Sequence, residues 1–224
     1  MTYHKKSTTN NMANRKIESP YTASITGCGF MHEEMRALLP MLMSPDRDRL
    51  LKEELQTGEH LMMSSEQTRS RAISEFVKRY NAVPKSFWTW FLTLNDQSQR
   101  VAMFYVILKT YKIVFDLHIN VAVEHWRGVD QRVTKSDLLM EFNEISARDA
   151  FVESWSENTK DRVAKAVCSV LRKVGLMEEK SSDLKSLDFS DIDASYYIQN
   201  NELWFLEACF LQPYEIQKIK EGVK

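Results

Sequence analysis

Residues 101–115, VAMFYVILKTYKIVF, are apolar on nearly every side and are charged only at Lys109 and Lys112. A helix that is hydrophobic all round must be buried, either in a bilayer or in a protein core of some size. About 15 residues falls short of the roughly 20 that hydrocarbon demands, and two lysines interrupt them. The stretch therefore predicts a central core helix with other helices around it. DLHINVAVEHW, ending at Gly128, predicts a second one. No membrane partner is expected. The polar start, MTYHKKSTTNNMANRK, lacks the apolar region of a secretion signal, so the expected location is cytoplasmic.

Turn residues decide what surrounds this core. Six glycines and five prolines in 224 residues are too few for a sandwich or barrel of short strands. Met, Leu, Lys, Glu and Arg dominate instead, and they favour helices. The expected fold class is all-α, as two packed helical bundles. Residues 1–19 read as a flexible basic arm carrying Lys5, Lys6, Arg15 and Lys16. Residues 20–128 read as an N-terminal helical domain. The pattern changes at Arg127-Gly128-Val129-Asp130, and residues 129–224 read as a C-terminal, winged-helix-like domain.

Local signals mark the elements. Gly27 and Gly29 predict a bend before the first helix. Pro40 is expected to kink or divide the helix MHEEMRALLPMLM, and Ser44-Pro45-Asp46 restarts one that Gly58 ends. Ser64-Ser65-Glu66-Gln67 resembles a capping box opening a helix through Tyr80, and Asn95-Asp96 caps a long helix through about Phe115. SYYI, at 195–198, is the one short run that looks strand-like.

Catalytic chemistry finds no support. There is no phosphate-binding glycine loop and no nucleophile elbow, and His32-Glu33-Glu34-Met35-Arg36 is not HExxH. His118 and His125 are seven apart and read as structural histidines. Glu33, Glu34, Glu53 and Glu54 read as a solvated face. Cys28, Cys168 and Cys209 form no CxxC pair and read as buried, reduced thiols. Phe87, Trp88, Trp90 and Phe91 at helical spacing read as core anchors. No catalytic residue, metal ligand or cofactor is expected.

One feature rises above this background. KSDLLMEFNEI, RDAFVESW and NTKDRVAKAVCSVLRKVGLM follow the order of a helix-turn-helix unit, with Asn158 or Thr159 capping the third helix and Gly175 closing it. Val163, Ala166, Val167, Val170, Leu171 and Val174 form its apolar stripe. Lys160, Arg162, Lys165, Arg172 and Lys173 fall mainly outside that stripe, against Asp161 alone, in a chain of net charge −1. The ends of 176–199 are expected to supply a small β wing. Asn158 and Thr159 would meet base edges, and the cations would meet phosphates, making double-stranded DNA the expected partner. An ordinary solvated basic face explains the same residues. A second patch, Arg69, Arg71, Lys78, Arg79 and Lys85, either extends a nucleic-acid path or keeps its helix soluble, and the latter is favoured.

YTASITGCGFMHEEMRALLPMLM resembles the opening of the BrxA family, with Tyr21, Ser24, Ile25, Thr26 and Gly27 matching in type. ILKTYKIVFDLHINVAVEHW and WSENTKDRVAKAVCSVLRKVGLM resemble that family in order and spacing. The resemblance implies an all-helical, non-enzymatic, DNA-binding accessory subunit of a BREX phage-defence system, with other BREX subunits as partners. Two alternatives stay open. One is a protein-interaction adaptor docking through Leu203, Trp204, Phe205 and Phe210; the other is an RNA-binding, antitermination-like factor.

Overall fold

The computed structural model describes residues 18–222, so Lys5, Lys6, Arg15 and Lys16 of the basic arm lie outside the described residues. The described residues are all-α, as expected. In order, the helices are α1 (Ile25–Cys28), α2 (His32–Met43), α3 (Arg47–Thr57), α4 (Glu66–Asn81), α5 (Lys85–Phe91), α6 (Asp96–Thr110) and α7 (Lys112–Leu117). A π-helical turn, His118–Val123, follows. Then come α8 (Glu124–Arg127), α9 (Lys135–Arg148), α10 (Ala150–Glu153), α11 (Glu157–Val174), α12 (Ser195–Gln199), α13 (Trp204–Ala208) and α14 (Pro213–Gly222).

The apolar run 101–115 is the centre of the molecule. Every residue from Val101 to Leu108 is buried, with α4 and α11 packed against α6. The run is two helices rather than one, because Tyr111 takes an extended conformation (φ −118°, ψ 96°) between α6 and α7. The cause is polar. The Tyr111 hydroxyl donates to Glu75 Oε2 at 3.0 Å and accepts from Arg79 Nε at 3.0 Å, and its ring is fully buried. A continuous helix would break that arrangement. Around it, one hydrophobic cluster runs from Tyr21 to Ile216. Residues on both sides of 128–129 contribute to that cluster.

Several local readings need correcting. SYYI is helical, forming most of α12, with Tyr196 and Tyr197 buried among Phe87, Trp90 and Phe205. Glu54 belongs to no solvated face: it is 2% exposed and accepts from the backbone N–H groups of His60 and Leu61, closing the loop after α3. Pro40 sits inside α2 without dividing it. Gly27 lies within α1, and Gly29 alone makes the bend, at φ 55°, ψ −142°, where a side chain is not tolerated. Ser65 caps α4 through Thr68 N, while the reciprocal capping box forms at Thr134 and Asp137 of α9. His118 and His125 share no site. His118 is fully buried and its Nε2 lies 2.7 Å from Ala208 O, whereas His125 is half-buried.

The β element is small. Met177 bridges Leu184 and Arg132 bridges Asp183, both antiparallel, so residues 176–178 and 183–185 pair directly behind α11. Glu178 N–Asp183 O at 2.9 Å, Lys185 N–Leu176 O at 3.1 Å and Leu184 N–Gln131 O at 2.8 Å hold the three segments together.

Candidate functional site

Helix α11 begins at Ser156, whose hydroxyl accepts from Thr159 N at 3.2 Å, so the cap stands two to three residues before the expected Asn158 or Thr159. It ends at Gly175 (φ 93°), where Gly175 N and Leu176 N close onto Leu171 O. Its apolar stripe is buried as the spacing predicts except at Ala166, which is half-buried: Val163, Val167, Val170, Leu171 and Val174 are each at most 1% exposed.

The polar face sorts the expected residues into two groups. Asn158, Arg162, Lys165 and Lys173 are exposed; together with Ser169 they recur every three or four residues and so share one stripe. Thr159 is half-buried beside its cap. Lys160 does not belong to the stripe: it is 8% exposed and its ammonium sits 3.3 Å from Glu157. Arg172 is half-buried and donates to Ser181 O at 3.3 Å, pinning the hairpin against α11. Lys165 lies 2.8 Å from Asp161, which also holds Lys135 at 2.6 Å. Lys135 and Lys165 together keep the Asp161 carboxyl below its usual range. Among the described residues Arg162 and Lys173 have no carboxylate within 4.0 Å.

The second basic patch largely dissolves. Arg69 turns inward over Gly58 and donates to three backbone carbonyls, those of Leu55 (2.8 Å), Met63 (2.7 Å) and Gln56 (3.2 Å). Arg79 is fully buried, donating to Phe30 O at 2.8 Å, to Gly29 O, and to Tyr111. Lys78 pairs with Glu75, which also accepts from Ser24 Oγ at 2.9 Å. Arg71 and Lys85 alone remain exposed without a role in packing. Two of its members are scaffold: Arg69 fixes the loop after α3, and Arg79 fixes the backbone at Gly29 and Phe30.

That backbone forms one wall of an open groove of about 650 Å³, and the exposed stripe of α11 forms the other. Arg100, Arg162, Lys165 and Lys173 line it, against Glu33 and Glu34. At its floor, His32 is 3% exposed; its Nδ1 lies 3.3 Å from Glu33 Oε1, outside hydrogen-bond geometry, and its Nε2 has no hydrogen-bond partner. Burial lowers the pKa of His32, which favours the neutral ring. Cys28 also lines the groove, and burial raises its thiol to about 11, so it stays protonated at neutral pH.

His32, Glu33 and Asp96 bring possible metal-ligand atoms within 4.8 Å of one another. Two guanidiniums already neutralise the carboxylates, Arg36 on Glu33 at 2.6 Å and Arg100 on Asp96 at 2.8 Å. The charge a cation would supply is present, and the group is an ion-pair network. Nothing in the sequence marked this groove, because its wall at residues 25–34 meets α11 only through tertiary packing, in which Ile25, Cys28 and Phe30 are core residues and Arg79 holds the carbonyls of Gly29 and Phe30.

Among the described residues no helix is long and apolar enough to cross a membrane. A crystal structure of an uncharacterized protein from Magnetospirillum magneticum is similar in fold, with a TM-score of 0.69 and 22% identity, covering 85% of this chain and 98% of that one. No curated protein matches the chain. A match to the BrxA family spans residues 19–201, taking in the groove wall, the buried Arg79 scaffold and α11. The chain belongs to the BrxA family, whose members are accessory components of BREX systems.

Proposed function

We propose that this protein is a non-enzymatic, DNA-binding accessory subunit of a BREX phage-defence system, gripping double-stranded DNA mainly through phosphates. The observation that carries the reading is the exposed stripe Asn158, Arg162, Lys165, Ser169 and Lys173 on one amphipathic helix, followed at once by the 176–185 hairpin. Short α10, a turn, α11 and a paired hairpin follow the order of a winged helix-turn-helix, in which the longer helix approaches the major groove. Among the described residues Arg162 and Lys173 have no carboxylate within 4.0 Å, which supports their meeting phosphates.

Three exposed cations predict a slope of about −2.7 for log affinity against log salt, or roughly 40-fold weaker binding between 50 and 200 mM salt. Anisotropy titration of a labelled duplex at the two salts tests this. Reversal of Arg162 and Lys173 to Glu should remove most of that slope; an unchanged slope would place the contact elsewhere. Structured RNA binding more tightly than duplex DNA would favour the antitermination-like alternative. The adaptor reading is weaker than its sequence suggested, since Phe205 and Phe210 are core residues.

A further inference from the structure

We infer that the DNA surface of this protein continues from α11 onto the first turn of α9, with Lys135 as a further phosphate contact and Asp161 as the residue that limits the grip. The inference rests on the reading that α11 meets DNA, and deepens it.

Lys135 is the first residue of α9, and a reciprocal capping box fixes its backbone. The Thr134 hydroxyl accepts from Asp137 N at 3.4 Å, and Asp137 Oδ2 accepts from Thr134 N at 2.7 Å. Helix α9 packs on α11. The packing brings the Lys135 ammonium to Asp161 Oδ1 at 2.6 Å, while Lys165, one turn further along α11, takes Asp161 Oδ2 at 2.8 Å. Two ammoniums from two helices thus share one carboxylate, oxygen by oxygen, and both lysines are exposed. Lysines meet a phosphate in the same way, as point charges on its oxygens, so Asp161 stands in the place of a phosphate. Just upstream, Val133 N donates to Ser182 O at 2.9 Å and Arg132 bridges Asp183, so the segment entering α9 lies along the hairpin. Lys135 therefore joins the hairpin to the exposed stripe of α11.

Ion pairs open to water are weak, because solvent screens the attraction and the pair immobilises long side chains. A duplex phosphate displaces Asp161 from the two lysines at little cost. The carboxylate itself stays beside the phosphate and repels it. Lys135, Arg162, Lys165 and Lys173 then act on DNA with the net charge of three cations rather than four. Asp161→Asn keeps the side chain's shape and removes the opposing charge.

Anisotropy titration of one labelled duplex at about 50 and 200 mM salt tests this, with each net charge adding about 0.9 to the slope of log affinity against log salt. The wild type should weaken about 40-fold across that range, Asp161→Asn about 150-fold and Lys135→Ala only about 12-fold. The double variant should return to about 40-fold. Asp161→Asn should also bind more tightly than the wild type at the lower salt. Circular dichroism and urea midpoints establish that each variant is folded. A wild-type slope in Lys135→Ala overturns the inference, as does an unchanged or shallower slope in Asp161→Asn. If Arg162→Glu/Lys173→Glu still removes most of the slope in either case, the DNA-binding reading stands without the extension. Absence of duplex binding by the wild type and by Asp161→Asn at the lower salt removes that reading and the inference with it.

Discussion

Replacing Arg79 by alanine is expected to cost more stability than any other single change in the former basic patch. The side chain is 0% exposed and donates to Phe30 O, Gly29 O and the Tyr111 hydroxyl. Its loss strands one buried carbonyl, Phe30 O, and one half-buried carbonyl, Gly29 O, each costing about 1–3 kcal/mol, and frees the hydroxyl that also meets Glu75, itself 8% exposed. The total is about 4 kcal/mol. For a chain of this size each kcal/mol lowers Tm by roughly 2–4 °C, so the drop is about 8–16 °C. Urea unfolding followed by far-UV circular dichroism measures it, with Arg71→Ala, an exposed neighbour on α4, changing stability by no more than about 0.5 kcal/mol. If Arg79→Ala cost less than about 1 kcal/mol, the claim that Arg79 builds the groove wall would fail. Tyr111→Phe removes only the hydroxyl and should fall between the two.

Other outcomes follow from the same geometry. Burial pushes the His118 pKa from 6.5 down to about 4, so the unfolded chain binds the proton first as pH falls. Stability is therefore lost between pH 6.5 and about 4; from pH 7.5 to 5 the loss from His118 is about 2 kcal/mol, and His118→Gln should flatten that part of the urea-midpoint profile. Gly58→Ala should destabilise by more than its helix-end position alone suggests, since Gly58 holds φ 65° and an added Cβ would lie 2.9 Å from Arg69 Nη1. Calorimetry would show the loss, and Arg69→Ala in the same background should make it less than additive. Cys28, Cys168 and Cys209 should react with a thiol reagent only slowly until denaturant is added, because all three are buried.

Periodicity made much of the molecule legible. The stripe Val163, Val167, Val170 and Val174 named the buried face of α11, and the all-round apolar run 101–115 named the centre. Charge was legible only as composition. Arg69, Arg79 and Lys160 count as cations in a sequence, yet the first two cap backbone carbonyls far along the chain, and Lys160 lies flat against Glu157. No local rule separates such an arginine from Arg71, since the difference lies in partners 6 to 50 residues away. Tyr196 and Tyr197 misled in the opposite way. Two adjacent aromatics look like a strand, but tertiary packing against Phe87 and Phe205 holds them in a helix. The groove itself was invisible, because one wall comes from residues 25–34 and the other from 162–173.

If the exposed stripe of α11 meets DNA phosphates, its cations set the salt dependence of binding. That contact is measured by the affinity of one labelled duplex for the wild-type chain and for Arg162→Glu/Lys173→Glu, each at about 50 and 200 mM salt. Wild-type binding should weaken about 40-fold across that range, and the folded variant should bind poorly at both salts. A variant that binds as the wild type does, with the same salt dependence, would contradict it.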